Sequence, residues 1–247
     1  MTVADGFDVQ LVASEPLVRQ PVCIEFDDRG RLWVIQYLQY PNPAGLKRVD
    51  VDRYSRTEYD RVPKPPPHGP RGADRITILQ DSDLDGDMDD GFDFVDGLNL
   101  ASGLAFGHGG VFVLNVPYLL FYPDHDRNDV PDSDPTVLLT GFGMQDAHSV
   151  ANSLTWGPDG WLYAAQGSTV TGQIRAPSDK PTAAVHSMGQ LIWRYHPTAR
   201  KYEIFAEGGG NTFGVEIDSD GRVYSGHNGG DTRGFHYVNT SSARISK

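Results

Sequence analysis

The chain has 247 residues, with 21 lysines and arginines against 33 aspartates and glutamates, a formal charge of −12. That charge argues against nucleic acid or an anionic membrane as the main partner, and no run approaches the roughly 18 apolar residues of a membrane span, so no membrane insertion is expected. With 28 glycines and 17 prolines, long helices are disfavoured and many short strands joined by turns are expected, within a length that suits one all-β domain over residues 1–247.

The first residues, Met1-Thr2-Val3-Ala4-Asp5-Gly6-Phe7, lack the basic and apolar regions of an export signal. Residues 7–13 alternate and predict a strand. Pro16 and Pro21 then break the path. Residues 22–26, the turn Asp27-Asp28-Arg29-Gly30 and residues 31–36 predict a strand, turn and strand. Cys23 lies in the first of these and is the only cysteine. It reads as a buried small hydrophobe, and its solitude excludes an intrachain disulfide, a cysteine metal cluster and a haem c attachment. Residues 38–74 are rich in proline and charge and predict a long excursion loop, a disordered insertion being the other reading.

Further strands are predicted over 76–79, 92–95, 103–106, 111–116, 119–122 and 136–140. A histidine, His148, then precedes a hairpin whose strands flank Gly157-Pro158-Asp159-Gly160. This tetrapeptide supplies a proline for one turn corner and a glycine where φ must be positive. Segments 189–195 and 202–206 predict a strand pair. Residues 213–217 and 222–225 repeat the hairpin across Asp218-Ser219-Asp220-Gly221.

Four segments share one plan of apolar strand, glycine-bearing turn and a strand with an early aromatic. They are 22–35, 103–114, 153–165 and 214–225, marked by Trp33, Phe112, Tyr163 and Tyr224. Irregular repeats upward of about 50 residues with four strands each read as β-propeller blades, with a β-sandwich as the alternative. Four such hairpins predict about four to five blades in this chain. No closing strand is evident over 240–247, so an incomplete propeller is expected.

Two acidic loops follow strands. Asp81, Asp83, Asp85, Asp87 and Asp89 occupy alternate positions with Gly86 sixth, which is the opening of a calcium loop. Position 12 is Phe92, so Asp90 or Asp93 would replace the usual glutamate. The second loop repeats the pattern with Asp124, Asp126, Asn128 and Asp132, but has Asp129 where a glycine is usual. Its His125 is expected to point outward. Both loops suit a structural calcium ion clamping an interblade turn.

Polar groups at strand ends converge on one face of a propeller. His148 can take a proton from an alcohol near neutral pH, Asn211 can hold a carbonyl, and Arg233 can bind a carboxylate as a fork. His227 competes with His148 as base. The remaining histidines, 68, 108, 186, 196 and 236, read as surface or structural.

Residues 6–17 (Gly-Phe-Asp-Val-Gln-Leu-Val-Ala-Ser-Glu-Pro-Leu), 26–34 (Phe-Asp-Asp-Arg-Gly-Arg-Leu-Trp-Val) and the pair Tyr40-Pro41 resemble the propeller of planctomycete and verrucomicrobial membrane-bound dehydrogenases. That propeller is similar to the six-bladed one of soluble glucose and sorbosone dehydrogenases that use pyrroloquinoline quinone (PQQ). The resemblance implies an exported protein, periplasmic or secreted, that oxidises a sugar or polyol with PQQ and calcium and passes electrons to a cytochrome c. It implies His148 as the base and Asn211 as a quinone contact. Gly210 stands where the family has arginine, so Arg233 would have to supply that charge. The strand end where the family places a calcium bridging the cofactor falls near His227–Asp231, with His227 and Asn228 as cofactor contacts. Two other readings stay open: a calcium-dependent lactonase-like hydrolase using Glu216 and Asn211, and a non-catalytic, calcium-stabilised binding platform.

Overall fold

The computed structural model describes residues 2–228 and 234–239. The first unit contains β1 (Pro21–Phe26), β2 (Leu32–Gln36), a small hairpin of β3 (Arg48–Val51) and β4 (Thr57–Tyr59), then β5 (Asp74–Gln80) and β6 (Asp90–Leu98). The second contains β7 (Ala101–Gly107), β8 (Gly110–Asn115), β9 (Tyr118–Pro123) and β10 (Thr136–Thr140). The third contains β11 (Ala151–Trp156), β12 (Leu162–Gln166), the pair β13 (Gly172–Ile174) and β14 (Val185–Ser187), then β15 (Leu191–His196) and β16 (Lys201–Glu207). The fourth contains β17 (Glu216–Ile217), β18 (Val223–Gly226) and β19 (Gly234–Tyr237).

Each unit is built on one antiparallel sheet, β1-β2-β5-β6, β7-β8-β9-β10, β11-β12-β15-β16 and the three-stranded β17-β18-β19, with β3-β4 and β13-β14 as separate two-stranded sheets. The first strand of a sheet packs beside the first strand of the next, β1 against β7, β7 against β11 and β11 against β17. These contacts radiate the sheets from their inner strands, as blades of an incomplete propeller. The four expected hairpins are the two inner strands of the four blades.

Strand side chains alternate between faces, and here both faces find a neighbouring blade. Val113 on β8 joins Ile35, Ile76, Ile78 and Leu120 between blades one and two. Its chain neighbours Phe112 and Leu114 join Leu154, Leu162 and Trp193 between blades two and three. Tyr163, Ile192, Val215 and Val223 fill the third interface. Burial on two faces explains why β8 and β9 read as continuous apolar runs; each fully buried leucine or isoleucine contributes about 1.5–3 kcal/mol of transfer free energy.

The aromatic that marks three of the repeats has a hydrogen-bonding reason. Asp27 Oδ1 accepts the amides of Arg29 and Arg31, both at 2.9 Å, and its Oδ2 accepts Trp33 Nε1 at 3.0 Å. Asp159 takes the Tyr163 hydroxyl at 2.9 Å, and Asp218 takes the amides of Asp220 and Arg222 at 3.0 and 2.9 Å. An aspartate that closes the turn on its own backbone thus anchors the aromatic on the following strand. Phe112 follows Gly107-His108-Gly109-Gly110, a turn with no such acid.

Two expectations need correction. Residues 7–13 form no strand, because no neighbouring edge pairs with them; Phe7, Val9 and Leu11 lie exposed, while Ala13, Leu17 and Val18 cover Leu32, Val34 and Leu79 on blade one. The acidic loops are not interblade connections. They join β5 to β6 and β9 to β10, within single blades. Contact between blades comes instead from Asp129, whose carboxylate takes a bidentate pair of bonds from Arg31 of blade one, both 2.7 Å. Cys23 is partly buried against the core of blades one and two, and desolvation pushes its thiol up to about 11.

Antiparallel strands alternate direction, so one end of the propeller holds the Asp27, Asp159 and Asp218 turns and both acidic loops. The other end holds residues 37–73, 141–150, 167–190, 208–215 and 227–228. The excursion at 38–74 is therefore an ordered part of this second end. Fully buried Asp74 ties it down, accepting the Gln39 amide at 2.6 Å and the Ala101 amide at 2.9 Å.

Candidate active site

His148 sits in the connection from β10 to β11, at the second end. Asp146 closes a local turn by accepting the His148 amide at 2.9 Å, and the same oxygen, Oδ1, lies 3.0 Å from His148 Nδ1. The other oxygen accepts the Thr169 hydroxyl. Burial presses the Asp146 carboxyl upward, yet the bonds from Thr169 and the His148 amide hold it below the ordinary carboxylate range. A carboxylate only accepts, so Nδ1 carries a hydrogen, and in the neutral imidazole Nε2 then presents its lone pair. That is the tautomer a general base requires.

Asn211 lies beside His148, although 63 residues separate them. Its Oδ1 accepts Ser149 Oγ at 2.6 Å and the Ser168 amide at 3.1 Å. Its Nδ2 is 3.5 Å from the His148 carbonyl oxygen, a long bond that leaves this donor nearly free. Asn211 takes φ +47, a left-handed conformation that asparagine tolerates. The cluster closes tightly on Gly167. A Cβ there would stand 2.3 Å from Asn211 Oδ1 and 2.6 Å from Ser149 Cα.

His227 belongs to the same end. Its ring meets Phe235 edge-on at 5.0 Å, and its Nδ1 is buried without a hydrogen-bond partner among the described residues. A Cβ at Gly210 would stand 2.6 Å from His227 Cε1 and 2.9 Å from Nδ1. The His227 imidazole thus fills the volume in which a side chain at 210 would begin, which explains the glycine where the resembling family has arginine. Asn228 is exposed, and its amide donates to the Gly210 carbonyl at 3.0 Å. Arg233 lies outside the described residues. Among the described residues, no lysine or arginine is hydrogen-bonded or ion-paired to Asp146, His148, Asn211 or His227. Glu216, on β17, is exposed and belongs to no group of three His, Cys, Asp or Glu side chains close enough to share a metal ion among the described residues.

Sequence reading missed Asp146, Thr169 and Tyr40. The spacing Asp-Ala-His carried a signal for the first, since an aspartate two residues before a backbone N–H favours this turn. Nothing local signalled Tyr40, whose hydroxyl bonds to His148 Nε2 from 108 residues away.

At the opposite end, two groups of carboxylates come together: Asp81, Asp83 and Asp85, and Asp124, Asp126 and Asp132. Asp87 bonds instead to Gln10 Nε2 at 3.1 Å, and Asp89 to Ser82 Oγ at 2.6 Å. Asn128 Nδ2 donates to Asp126 at 2.9 Å. His125 is exposed and turns back, its Nδ1 2.6 Å from Asp132. The two loops share a backbone plan. The fourth and sixth positions are left-handed in both, Leu84 (φ +63) and Gly86 (φ +99) in one, Arg127 (φ +58) and Asp129 (φ +68) in the other. The first aspartate in each accepts the amides of positions five and six. Asp129 therefore adopts the conformation that glycine supplies in the first loop.

The family described as a domain of unknown function, DUF7133, matches residues 1–246. The chain belongs to this family. No curated protein sequence matches it significantly. Among solved structures, this DUF7133 chain is similar to the holo form of the PQQ domain of pyranose dehydrogenase from Coprinopsis cinerea. The TM-score is 0.58 at 14% identity, over 96% of this chain and 51% of that one. It also matches regucalcin, a calcium-binding protein from Agrobacterium tumefaciens, with TM-score 0.49 and 11% identity over 83% of this chain and 52% of that one. The first likeness establishes the propeller fold, and the chain spans about half the length of both structures. No helix among the described residues is long and apolar enough to cross a membrane.

Proposed function

We propose that this DUF7133 chain carries the proton-accepting part of an oxidoreductase site that acts on a hydroxyl group of a sugar or polyol. The observation that carries the reading is the Asp146–His148 pair at 3.0 Å, at the second end of a propeller similar in fold to a PQQ domain. Asp146 fixes the tautomer and stabilises the imidazolium once His148 has taken the proton. Thr169 and Ser149 hold Asp146 and Asn211 in register.

PQQ is an anionic quinone, and two features here fit such a group. Asn211 Nδ2 is a donor with only a long bond of 3.5 Å, and His227 Nδ1 is buried without a partner among the described residues. These residues, with Asn228, would hold the quinone, and His227 takes the space of the family's arginine. Bound there, PQQ would supply the two-electron acceptor that oxidation of an alcohol requires. Arg233 would add charge, and a cytochrome c would receive the electrons in an exported protein. Calcium in the two acidic loops would stiffen the far end, since each loop offers grouped oxygen ligands of the kind calcium prefers.

The test is titration of the protein with PQQ, with and without calcium, followed by absorbance and melting temperature, then by dye-linked oxidation of sugars and polyols. Binding and turnover are expected, with turnover lost in His148→Ala. A folded protein that binds no PQQ ends the oxidoreductase reading and favours a non-catalytic platform.

A further inference from the structure

The nitrogen that the proposed reaction needs is covered. Tyr40 is hydrogen-bonded to His148 Nε2, with the two rings edge to face at 5.1 Å and 83°. With the imidazole neutral and its hydrogen on Nδ1, toward Asp146, Nε2 accepts and the Tyr40 hydroxyl is the donor. Carboxylate, imidazole and phenol form one chain, and the phenol is its outermost member.

Tyr40 is held in place from both sides. The Gln39 amide donates to buried Asp74 at 2.6 Å, Gln39 Oε1 accepts the Ala73 amide at 3.0 Å, and Gln39 Nε2 donates to the Asn42 carbonyl at 2.8 Å. The Tyr37 ring lies 5.8 Å from that of Tyr40, and its hydroxyl donates to the Ala147 carbonyl at 3.2 Å, beside His148. These bonds tie the segment that carries Tyr40 to blade one and to the His148 connection. Tyr40 itself remains 39% exposed. A residue anchored this way, with its hydroxyl on the base and its edge in solvent, is built into the site.

We infer that Tyr40 is a catalytic residue: it meets the substrate hydroxyl and relays its proton to His148. The inference rests on the reading of His148 as the base. The substrate O–H bond breaks as a new Tyr40 O–H bond forms, and the original Tyr40 proton moves to His148 Nε2. The tyrosine ends as it began, and one proton is gained by the imidazole, whose charge Asp146 balances. The relay moves a proton only and no electrons. A phenol donating to a lone pair while accepting from an alcohol is polarised in the direction this transfer needs.

The contact is tested without cofactor or substrate, by the rate at which diethyl pyrocarbonate modifies His148, read by mass spectrometry of its peptide. Tyr40→Phe uncovers Nε2 and should raise that rate about tenfold. Nitrogen-15 shifts of His148 in the unsubstituted protein should show the Nδ1–H tautomer, which requires no variant. With PQQ, calcium and an oxidised sugar, Tyr40→Phe should lower kcat at least tenfold while KM changes less than threefold. An unchanged labelling rate shows that Tyr40 does not cover the base and overturns the inference. A rise in kcat makes Tyr40 a removable cap and overturns it as well. If labelling shows the contact but the unsubstituted protein oxidises nothing, the base reading has failed, and the relay falls with it.

Discussion

Gly167→Ala probes the construction of the site through stability alone. The added Cβ would lie 2.3 Å from Asn211 Oδ1, 2.6 Å from Ser149 Cα and 2.8 Å from Ser149 Cβ, where carbon contacts are normally about 3.5–4.0 Å. One of the three is backbone, held by the Gly167 amide bonding to the Ser149 carbonyl at 3.0 Å, so a rotamer change cannot make room. Overpacking of this kind costs about 1–3 kcal/mol. Displacing Asn211 also weakens its bonds from Ser149 Oγ and the Ser168 amide, each worth about 0.5–1.5 kcal/mol net. Alanine returns about 0.4–1 kcal/mol by restricting the unfolded chain. The sum is a loss of about 3 kcal/mol, or roughly 6–12 °C in Tm for a chain of this size. Thermal unfolding followed by circular dichroism reads it directly. Gly160→Ala is the control, because a Cβ there meets nothing within 4 Å and only the φ of +77 opposes it; its cost should be about 1–2 kcal/mol. A Gly167→Ala protein melting within 2 °C of the parent would refute the packing described around Asn211.

Arg31→Ala should cost about 2–4 kcal/mol, because it strands Asp27 and Asp129, whose side chains are only 9% and 13% exposed, without their partner. Arg31→Lys should recover only part of this, lacking the bidentate fork, and melting within 1 °C of the parent for the alanine variant would contradict the cross-blade clamp. Burial raises the Asp74 carboxyl from 3.8 to about 6, so the native state binds the proton more tightly than the unfolded chain. Stability should therefore fall by up to about 3 kcal/mol as pH rises from about 4 to about 6, a slope that urea titrations should find flattened in Asp74→Asn. Calcium should raise the melting temperature and excess chelator should lower it, the response shrinking in Asp81→Asn and Asp124→Asn; an unchanged melting curve would count against both loops.

What the sequence by itself determined was local. The four inner hairpins were legible because turn chemistry and strand periodicity act within a dozen residues, and the Asp27, Asp159 and Asp218 turns write that chemistry into adjacent positions. The shared turn of the two acidic loops is local for the same reason, since the side chain at position one accepts the amides of positions five and six. Asp146 next to His148 was equally local and was readable from its spacing. The tertiary structure decided everything that depends on blades meeting. Residues 7–13 have the alternation of a strand, but a strand exists only where another edge pairs with it. The composition of 38–74 suggested a loose excursion, yet its order comes from Asp74 receiving Gln39 and Ala101 from opposite sides. Gly210 looked like a lost arginine until the His227 ring was seen to occupy its side-chain space. Tyr40 reached His148 across 108 residues, a juxtaposition no local pattern encodes, because only the packing of successive blades brings the segment after β2 and the connection from β10 to β11 together.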